Sequence, residues 1–187
     1  MGKVIAGMSM SLDGYVNDRD GSAAHLYPDM DALHESDGLQ ESMENTGAVV
    51  MGRRSYDMAQ GDYTGYEYQV PIFVVTHNSP ETVAKGENDK LKFNFVTAGV
   101  ERAIEQAKSA AGDKQVTVIG GADVIQQLLR AGLVDELEVL IMPILLGGGT
   151  RLFGDDAGDA LIKLDKVAVS DMAGGTNLRF RVMKNGA

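Results

Sequence analysis

The sequence predicts an α/β protein, a three-layer sandwich in which helices cover both faces of a mixed, mostly parallel sheet. Apolar runs of strand length alternate with segments of helical period as far as residue 132, the order that builds parallel β-α-β units. The remaining residues offer three strand-like runs and no clear helix, which favours antiparallel strands at the C-terminal end. No internal repeat or linker interrupts this order, so we expect a single domain spanning residues 1–187.

The first half begins with the continuously apolar stretch 3–10, typical of a central strand buried on both faces. Residues 29–45 have the period of a weak helix, and Gly38 is an internal weakness in it. We expect the inward face of this helix to carry four apolar residues, Met30, Leu33, Leu39 and Met43. A second strand over 47–52 ends at glycine, and a short helix begins directly at Arg53.

The second half continues the alternation and then turns to strands alone. A tyrosine-rich loop at 61–68 leads into a third strand over 70–75. The later elements follow in this order: strand 93–96, helix 100–111, strand 116–119, a helix ended by Gly132, strand 134–146, and strands 166–170 and 178–183 around Gly174-Gly175. Pro143 lies inside the run 134–146. Because proline lacks an N–H group, we expect an edge position or a bulge there.

Composition narrows the classes of function. A formal net charge of −10 argues against nucleic acid as a partner, because phosphate backbones require clustered lysine and arginine. The absence of cysteine excludes thiolate zinc sites, and the three histidines show no metal-ligand spacing, so we expect no metal. The Gly-x-Ser-x-Gly pattern of serine hydrolases and the Walker pattern of phosphoryl-transfer proteins are also missing, which argues against both classes. No apolar window could span a membrane and no signal-peptide pattern is present, so we expect a cytoplasmic protein.

The segment 116–129 carries the clearest binding pattern. A β-branched strand runs into Gly120-Gly121, and an amphipathic helix starts at once. The unpaired N–H groups and the positive dipole end of such a helix attract phosphate. The alternative is a plain βα turn that binds nothing, and this segment alone does not exclude it.

Two further strands end in the same style. Arg53, Arg54 and Ser55 follow one strand, while Thr76 and His77 follow another. If these strands are parallel neighbours, their carboxyl ends face one crevice, which would suit a dinucleotide with an additional 2′-phosphate. Three alternatives stay open. First, one of the two arginines pairs only with acidic surface groups. Second, His77 caps a turn and does not contact phosphate. Third, the triple glycine at 147–149 is either a phosphate cradle or a flexible strand end.

Four segments occur in the order of a known superfamily. They are Ser11-Leu-Asp-Gly14, Val50-Met-Gly-Arg-Arg-Ser-Tyr56, Val118-Ile-Gly-Gly121 and Pro143-Ile-Leu-Leu-Gly-Gly-Gly-Thr-Arg-Leu-Phe153. Together they resemble the dihydrofolate-reductase-like superfamily, and most closely the reductase domain of bifunctional riboflavin-biosynthesis proteins. The resemblance implies a dihydrofolate-reductase-like fold, an NADPH cofactor, and hydride transfer to a pterin, pyrimidine or related small ring.

The resemblance also assigns roles position by position. The segment that holds cofactor phosphates corresponds to Gly52, Arg53, Arg54 and Ser55, and the strand end beside the 2′-phosphate to Thr76 and His77. The pyrophosphate turn corresponds to Gly120, Gly121 and Ala122, with a cis peptide joining the glycine pair, and Val124 follows on the cofactor side. Asp13 matches a loop aspartate near substrate, which makes it the candidate catalytic residue.

The substrate side leaves several choices open. Dihydrofolate reductases place a carboxylate on the first helix, for which the candidates are Asp29, Asp31 and Asp37. The only cation between Asp13 and Glu44 is Arg19, which argues against a phosphoribosyl substrate. Three tyrosines either stack on a substrate ring or only cover the loop, namely Tyr15, Tyr63 and Tyr66.

Two alternatives to an enzyme share the predicted fold. A non-catalytic NADP(H)-binding sensor or scaffold would use the same crevice without needing a proton donor. A structural domain acting through its surface would bind no dinucleotide at all. The long apolar strand from Val134 also leads us to expect a homodimer, a common state of soluble chains.

Overall fold

The computed structural model describes residues 2–154 and 161–184, which form one eight-stranded sheet flanked by helices. The strands are β1 (Val4–Ser11), β2 (Thr46–Gly52), β3 (Ile72–Val75), β4 (Phe93–Val96), β5 (Gln115–Val118), β6 (Glu136–Met142), β7 (Leu164–Met172) and β8 (Gly175–Val182). The helices are α1 (Met30–His34), α2 (Asp37–Asn45), α3 (Arg53–Asp57), α4 (Val100–Ala111) and α5 (Ala122–Arg130), with a 3₁₀ turn at Ala24–Leu26.

The order of the strands across the sheet is β4-β3-β2-β5-β1-β6-β8-β7. Strands β1 to β6 pair in parallel, while β8 runs antiparallel to both β6 and β7. The predicted fold class, a mixed and mostly parallel sheet with antiparallel C-terminal strands, is confirmed. Because β5 returns between β2 and β1, the carboxyl ends of β2, β3 and β5 lie side by side.

Apolar side chains on the two faces of the sheet build separate cores. On one face, α4 and α5 pack against β1, β2, β5 and β6 through residues such as Ile104 and Ile125. On the other face, a tyrosine-rich cluster includes Tyr56 and Tyr63 and packs against Met51. A smaller cluster around Leu26 completes this side. The alternation of strand side chains between two covered faces makes the three layers.

The helix expected over 29–45 is two helices, so that prediction was wrong in detail. The helix is interrupted after α1, and the Ser36 side chain caps α2 by accepting a hydrogen bond from the Leu39 amide (3.4 Å). Met30 was expected to face inward but is 46% exposed. Gly38 lies in the first turn of α2, where a Cβ atom would overlap the end of the Met172 side chain. This glycine therefore permits close packing of α2 against β7.

The strand expected over 134–146 ends at Met142, so Pro143 follows the strand and needs neither an edge nor a bulge. The prediction of an edge strand was wrong, because β6 pairs with β1 on one side and with β8 on the other. The edge on this side of the sheet is β7, whose residues from Leu164 to Asp171 are exposed. The apolar run at Val134 thus serves the interior of the sheet.

Within the described residues, no helix combines the length and apolar character needed to cross a bilayer. A group of three side chains from histidine, cysteine, aspartate or glutamate that could hold a metal ion is also absent from this part of the chain.

Candidate active site

A cavity of about 1550 Å³ opens beside the carboxyl ends of β2, β3 and β5 and extends over the sheet as far as β8. We divide it by its polar side chains. The arginine half consists of Gly52, Arg53, Arg54, Ser55, Thr76, His77 and residues 121–124. The glutamate half consists of Ser9, Ser42, Tyr68, Thr117, Glu138 and Asn177.

The arginine half brings together almost all residues predicted from the three strand ends. Gly52, Arg53, Arg54, Ser55, Thr76, His77, Gly121, Ala122 and Val124 all line the cavity. Gly120 lies directly behind them and is joined to Gly121 by a cis peptide bond, as the resemblance implied. The predicted convergence of these segments at one crevice is therefore what the structure contains.

Close backbone packing explains the glycines of the arginine half. The Gly52 amide donates to the Gly120 carbonyl (2.8 Å), which ties the end of β2 to the turn before α5. A Cβ atom on Gly52 would lie 3.0 Å from the Val124 side chain and 3.3 Å from the Gly121 amide nitrogen. Gly120 has a φ of +109°, a conformation that side chains disfavour. The first turn of α5 lines the cavity, and the first N–H groups of a helix have no partner within the helix.

The two arginines have different surroundings. The Arg53 guanidinium pairs with Asp57 (2.9 Å) and donates to the Asn78 carbonyl (3.0 Å), so it braces α3 against the loop after β3. Arg54 is exposed, and within residues 2–154 and 161–184 it has no salt bridge. His77 is exposed as well. The alternative in which one arginine pairs with an acid therefore applies to Arg53, and Arg54 is left available to an anion.

Thr76 has a local role in the same half. Its hydroxyl donates to the Asn78 carbonyl (2.8 Å) and accepts from the Asn78 amide (3.3 Å), which closes the turn after β3. The turn presents His77 at the mouth of the cavity. On the opposite side, Asp123 in the first turn of α5 accepts a hydrogen bond from Gln127 (2.7 Å).

Asp13, the predicted catalytic residue, does not line the cavity. Its carboxylate accepts hydrogen bonds from the Ser11 hydroxyl (2.6 Å) and from the backbone amides of Gly147 (2.8 Å) and Leu146 (3.1 Å). The Ser11 hydroxyl contributes most to lowering the pKa of Asp13 to about 2, and the two amides add to it. These bonds clamp the loop after β6 to the loop after β1 and argue against Asp13 as a proton donor, so its catalytic role stays a prediction.

The carboxylates predicted on the first helix also lie away from the cavity. Asp29 caps α1 by accepting from the Ala32 amide (2.8 Å). Asp31 and Asp37 are exposed, and neither lines the cavity. The sequence reasoning expected one of the three to face the substrate, and this geometry argues against all of them.

The predicted stacking tyrosines divide between core and cavity wall. Tyr63 is buried and donates to the Tyr56 carbonyl (3.1 Å), and Tyr66 packs edge-on against it with ring centroids 4.9 Å apart. Both line the cavity. Burial raises the pKa of each of these two hydroxyls, so both stay neutral. Tyr15 does not line the cavity, and the Arg151 guanidinium carbon lies over its ring, 4.7 Å from the centroid of the Tyr15 ring.

The triple glycine at 147–149 serves the fold. The Gly147 amide is held by Asp13, and the neighbouring Thr150 amide donates to the Asn17 side chain (2.8 Å). A Cβ atom on Gly149 would overlap the Asn17 carbonyl oxygen, so only glycine fits there. These contacts argue against a flexible strand end, whereas the phosphate cradle stays a prediction, since Gly149 lines the cavity.

Sequence reasoning missed the glutamate half. Glu138 lies in the middle of β6 and accepts a short hydrogen bond from the Asn177 amide on β8 (2.6 Å). Thr117 shares a hydrogen bond with Thr46 (2.6 Å), and Tyr68 shares one with Ser42 on α2 (3.0 Å). The available signal was Glu136 and Glu138 interrupting an otherwise apolar strand, because such charges are rarely placed in a central strand without a partner or a use.

Comparisons with known proteins agree with this architecture. The family model described as the RibD C-terminal domain matches residues 2–178. YwjB of Bacillus subtilis, an uncharacterized protein, is 22% identical over 162 residues, which cover 87% of this chain and 88% of that protein. YyaP of the same organism, also uncharacterized, is 23% identical over 159 residues, covering 82% of this chain and 81% of that protein.

Solved structures place the fold. A proposed riboflavin biosynthesis protein of Shewanella sp. PV-4 superposes with a TM-score of 0.78 at 27% identity, covering 97% of this chain and 99% of that one. A Thermotoga maritima deaminase and 5-amino-6-(5-phosphoribosylamino)uracil reductase gives 0.69 at 15%, covering 97% and 57%. Dihydrofolate reductase of Enterococcus faecalis, solved with NADP(H), gives 0.60 at 19%, covering 98% of each chain. The chain therefore has a dihydrofolate-reductase-like fold and belongs to the RibD C-terminal domain family.

Proposed function

We propose that this protein is an NADPH-dependent reductase that transfers a hydride to a small heterocycle. The observation that carries the proposal is one continuous cavity in which an anion-binding half adjoins a half floored by polar acceptors. Pockets for single small ligands occupy roughly 300–1,000 Å³. The larger volume here leaves room for a dinucleotide and a ring together.

The residues of the arginine half fit the phosphates of NADPH. The free N–H groups at the start of α5, together with the Gly120–Gly121 turn, would hold the pyrophosphate. Arg54, which forms no salt bridge with any residue that the structure describes, and His77 of the same lining would hold the 2′-phosphate, with Arg53 bracing the loop after β3. The Enterococcus faecalis reductase, which has the same fold, was solved with NADP(H), and this likeness supports the assignment.

When bound, the nicotinamide supplies a hydride, and the acceptor ring takes up one proton in the same reduction. The residues of the glutamate half bind the ring and orient it over the sheet, while the tyrosine wall and α2 limit the access of water. The acids predicted as proton donors do not line the cavity, so in this proposal the proton comes from solvent at the open side of the cavity.

The proposal is tested by titrating the purified protein with NADPH and NADH and following nicotinamide fluorescence. We expect NADPH to bind more tightly, and we expect a panel of pterins, pyrimidines and quinones to contain a ring that drives NADPH consumption. Equal affinity for NADH would remove the argument from Arg54 and His77. Tight binding of NADPH with no consumption across the panel would favour the alternative, a non-catalytic NADP(H)-binding sensor or scaffold.

We keep the homodimer as a prediction, although the apolar strand from Val134 on which it was based lies inside the sheet. The exposed outer edge of β7 carries unpaired backbone groups, the kind of edge through which sheets associate. Sedimentation that shows a monomer at micromolar concentration would contradict it.

A further inference from the structure

Two glutamates on one face of β6 have opposite environments. Glu136 is buried and bonded to two cations, Lys3 (2.6 Å) and Arg179 (2.7 Å). Burial would raise the pKa of Glu136, but the two cations outweigh it and hold the pKa below its usual value. Glu138, two residues on and therefore on the same face, is bonded to the neutral Asn177 amide and pairs with no cation among the described residues. Its register partner on β8, Arg179, directs its guanidinium to Glu136 instead.

The groups around Glu138 offer free hydrogen-bond acceptors, and the Ser9 hydroxyl can also donate. Asn177 uses its amide nitrogen on Glu138, so its oxygen remains an acceptor. The Ser9 hydroxyl has no partner within the described residues, although Ser9 is only 7% exposed. No fully buried side-chain oxygen or nitrogen in the described chain lacks a partner. The free oxygens of Ser9, Glu138 and Asn177 are therefore accessible, and the cavity is what they line.

The floor beside Glu138 is open and flat. Gly7 is its register partner on β1, and a Cβ atom there would lie only in ordinary contact with Glu138, at about 4 Å. Apolar side chains from both sides of the cavity surround this position, among them Ile5, Leu39 and Leu140. A planar group can therefore lie on the sheet with its polar edge at the carboxylate.

Arg179, the register partner of Glu138 on β8, is bonded to Glu136 and does not line the cavity. The arginines that line it in the described chain are Arg19, Arg53 and Arg54. Arg19 donates to the Gly147 carbonyl (3.0 Å), and Arg53 pairs with Asp57. Glu138 and its neighbouring acceptors would thus repel a phosphate and attract a group rich in N–H donors.

We propose that Glu138 and Asn177 form a recognition site for a planar nitrogen cation of the amidinium type, carried by the ring that the reductase takes as substrate. The inference rests on the proposed function in treating the glutamate half as the substrate site. Two parallel N–H donors of an amidinium would bridge two acceptors, here the unshared Glu138 oxygen and the Asn177 amide oxygen. Asn177 fixes the carboxylate so that its unshared oxygen faces the cavity. A substrate that carries phosphate near this floor is disfavoured.

The test measures the binding of benzamidine, a planar amidinium, and of benzamide, its neutral counterpart, by calorimetry on the full chain. We expect wild-type protein to bind benzamidine at least about tenfold more tightly than benzamide. Glu138→Gln preserves the shape and the bond to Asn177 but removes the charge, and we expect it to weaken benzamidine binding by about 10-fold to 100-fold. The affinity for benzamide should stay within about twofold.

A matched control removes an acid from the other half of the same cavity. Asp123→Asn should keep the preference for benzamidine, because Asp123 lies on α5 beside Gln127. Glu138→Asp retains the charge on a shorter side chain and should keep part of the preference, which guards against misfolding of Glu138→Gln. Equal binding of benzamidine and benzamide by wild-type protein would overturn the proposal, as would an equal loss in Asp123→Asn.

The same samples separate this inference from the proposed reductase. NADPH affinity, read by fluorescence, should be the same in wild-type protein and Glu138→Gln, because the arginine half carries the phosphates. Absence of NADPH binding with an intact preference for benzamidine would contradict the proposed reductase function and leave the recognition site supported. NADPH binding without any preference for the amidinium would contradict the recognition site and leave the proposed reductase function supported.

Discussion

The two halves of the cavity differ in how their charges are compensated. In the arginine half, Arg53 is paired with Asp57, and Arg54 is left without a counterion in the described chain. In the glutamate half, Glu138 is paired only with a neutral amide. Within the part of the chain that the structure describes, Arg54 in one half and Glu138 in the other form no salt bridge, and their charges have opposite sign.

This difference shows how one pocket can orient two ligands at once. A formal net charge of −10 gives most of the molecule a repulsive field for anions. Within the cavity, Arg54 and the start of α5 favour an anion, and Glu138 favours a cation. The separation fixes which end of the cavity each ligand occupies before any fine fit is made.

The largest effect on ligand binding is expected from a substitution at Arg54. Arg54→Ala removes the uncompensated guanidinium, and we expect NADPH to bind about 10-fold to 100-fold more weakly, because hydrogen bonds to charged groups are the strong ones. NADH affinity should change little, since NADH lacks the 2′-phosphate. Fluorescence titration measures both. Arg102→Ala is the matched control, because Arg102 pairs with Glu105 on α4, and it should leave NADPH affinity unchanged. Parallel losses for NADPH and NADH would count against the assignment of Arg54.

Substitutions of two strand glycines, one in each half, should differ in their effect on stability and on ligand binding. Gly52→Ala places a Cβ atom 3.0 Å from Val124, and we expect it to destabilise the fold by about 1–3 kcal/mol and to weaken NADPH binding. Gly7→Ala adds a Cβ atom in ordinary contact at 3.9 Å, so stability should be unchanged while benzamidine binding falls. Thermal unfolding and the two titrations measure these effects. Gly7→Ala destabilising as much as Gly52→Ala would contradict the packing argument.

The loop clamp at Asp13 should affect stability without affecting chemistry. Its pKa is lowered from 3.8 to about 2, so its contribution is present above about pH 4 and is lost as the pH falls through 2. Asp13→Asn should therefore lower the unfolding temperature at neutral pH, and the difference from wild type should vanish near pH 2. Asp31→Asn, at an exposed position on α1, should change nothing. A loss of turnover in Asp13→Asn with unchanged stability would restore Asp13 as a catalytic residue.

Salt should produce the smallest effect, and it should be unequal between the halves. Raising the ionic strength from about 0.05 M to about 0.5 M screens exposed charges more than half-buried ones. We expect NADPH affinity at the exposed Arg54 to fall more steeply than benzamidine affinity at the half-buried Glu138. Titrations at both ionic strengths measure the two slopes, and the reverse order would contradict the comparison.

Much of the arginine half could be predicted from the sequence because its signals are local. Glycines and cations that follow apolar strands mark strand ends, and a parallel sheet brings such ends together. Gly52, Thr76 and Gly121 were placed correctly for this reason. The glutamate half gave no such signal. Glu138 stands in the middle of a strand, and its importance depends on Asn177, which is 39 residues away in the chain.

Local period and turn chemistry determined the order of elements, the antiparallel C-terminal hairpin and the glycine turn before α5, since these follow from side-chain spacing alone. The tertiary structure decided which carboxylates face the cavity. Asp13, Asp29 and Asp31 were chosen by their position in the chain, yet hydrogen bonds and exposure direct them elsewhere. A carboxylate becomes available to a ligand only when its neighbours leave it without a cation, and those neighbours come from β8 and β1 through the register of the sheet.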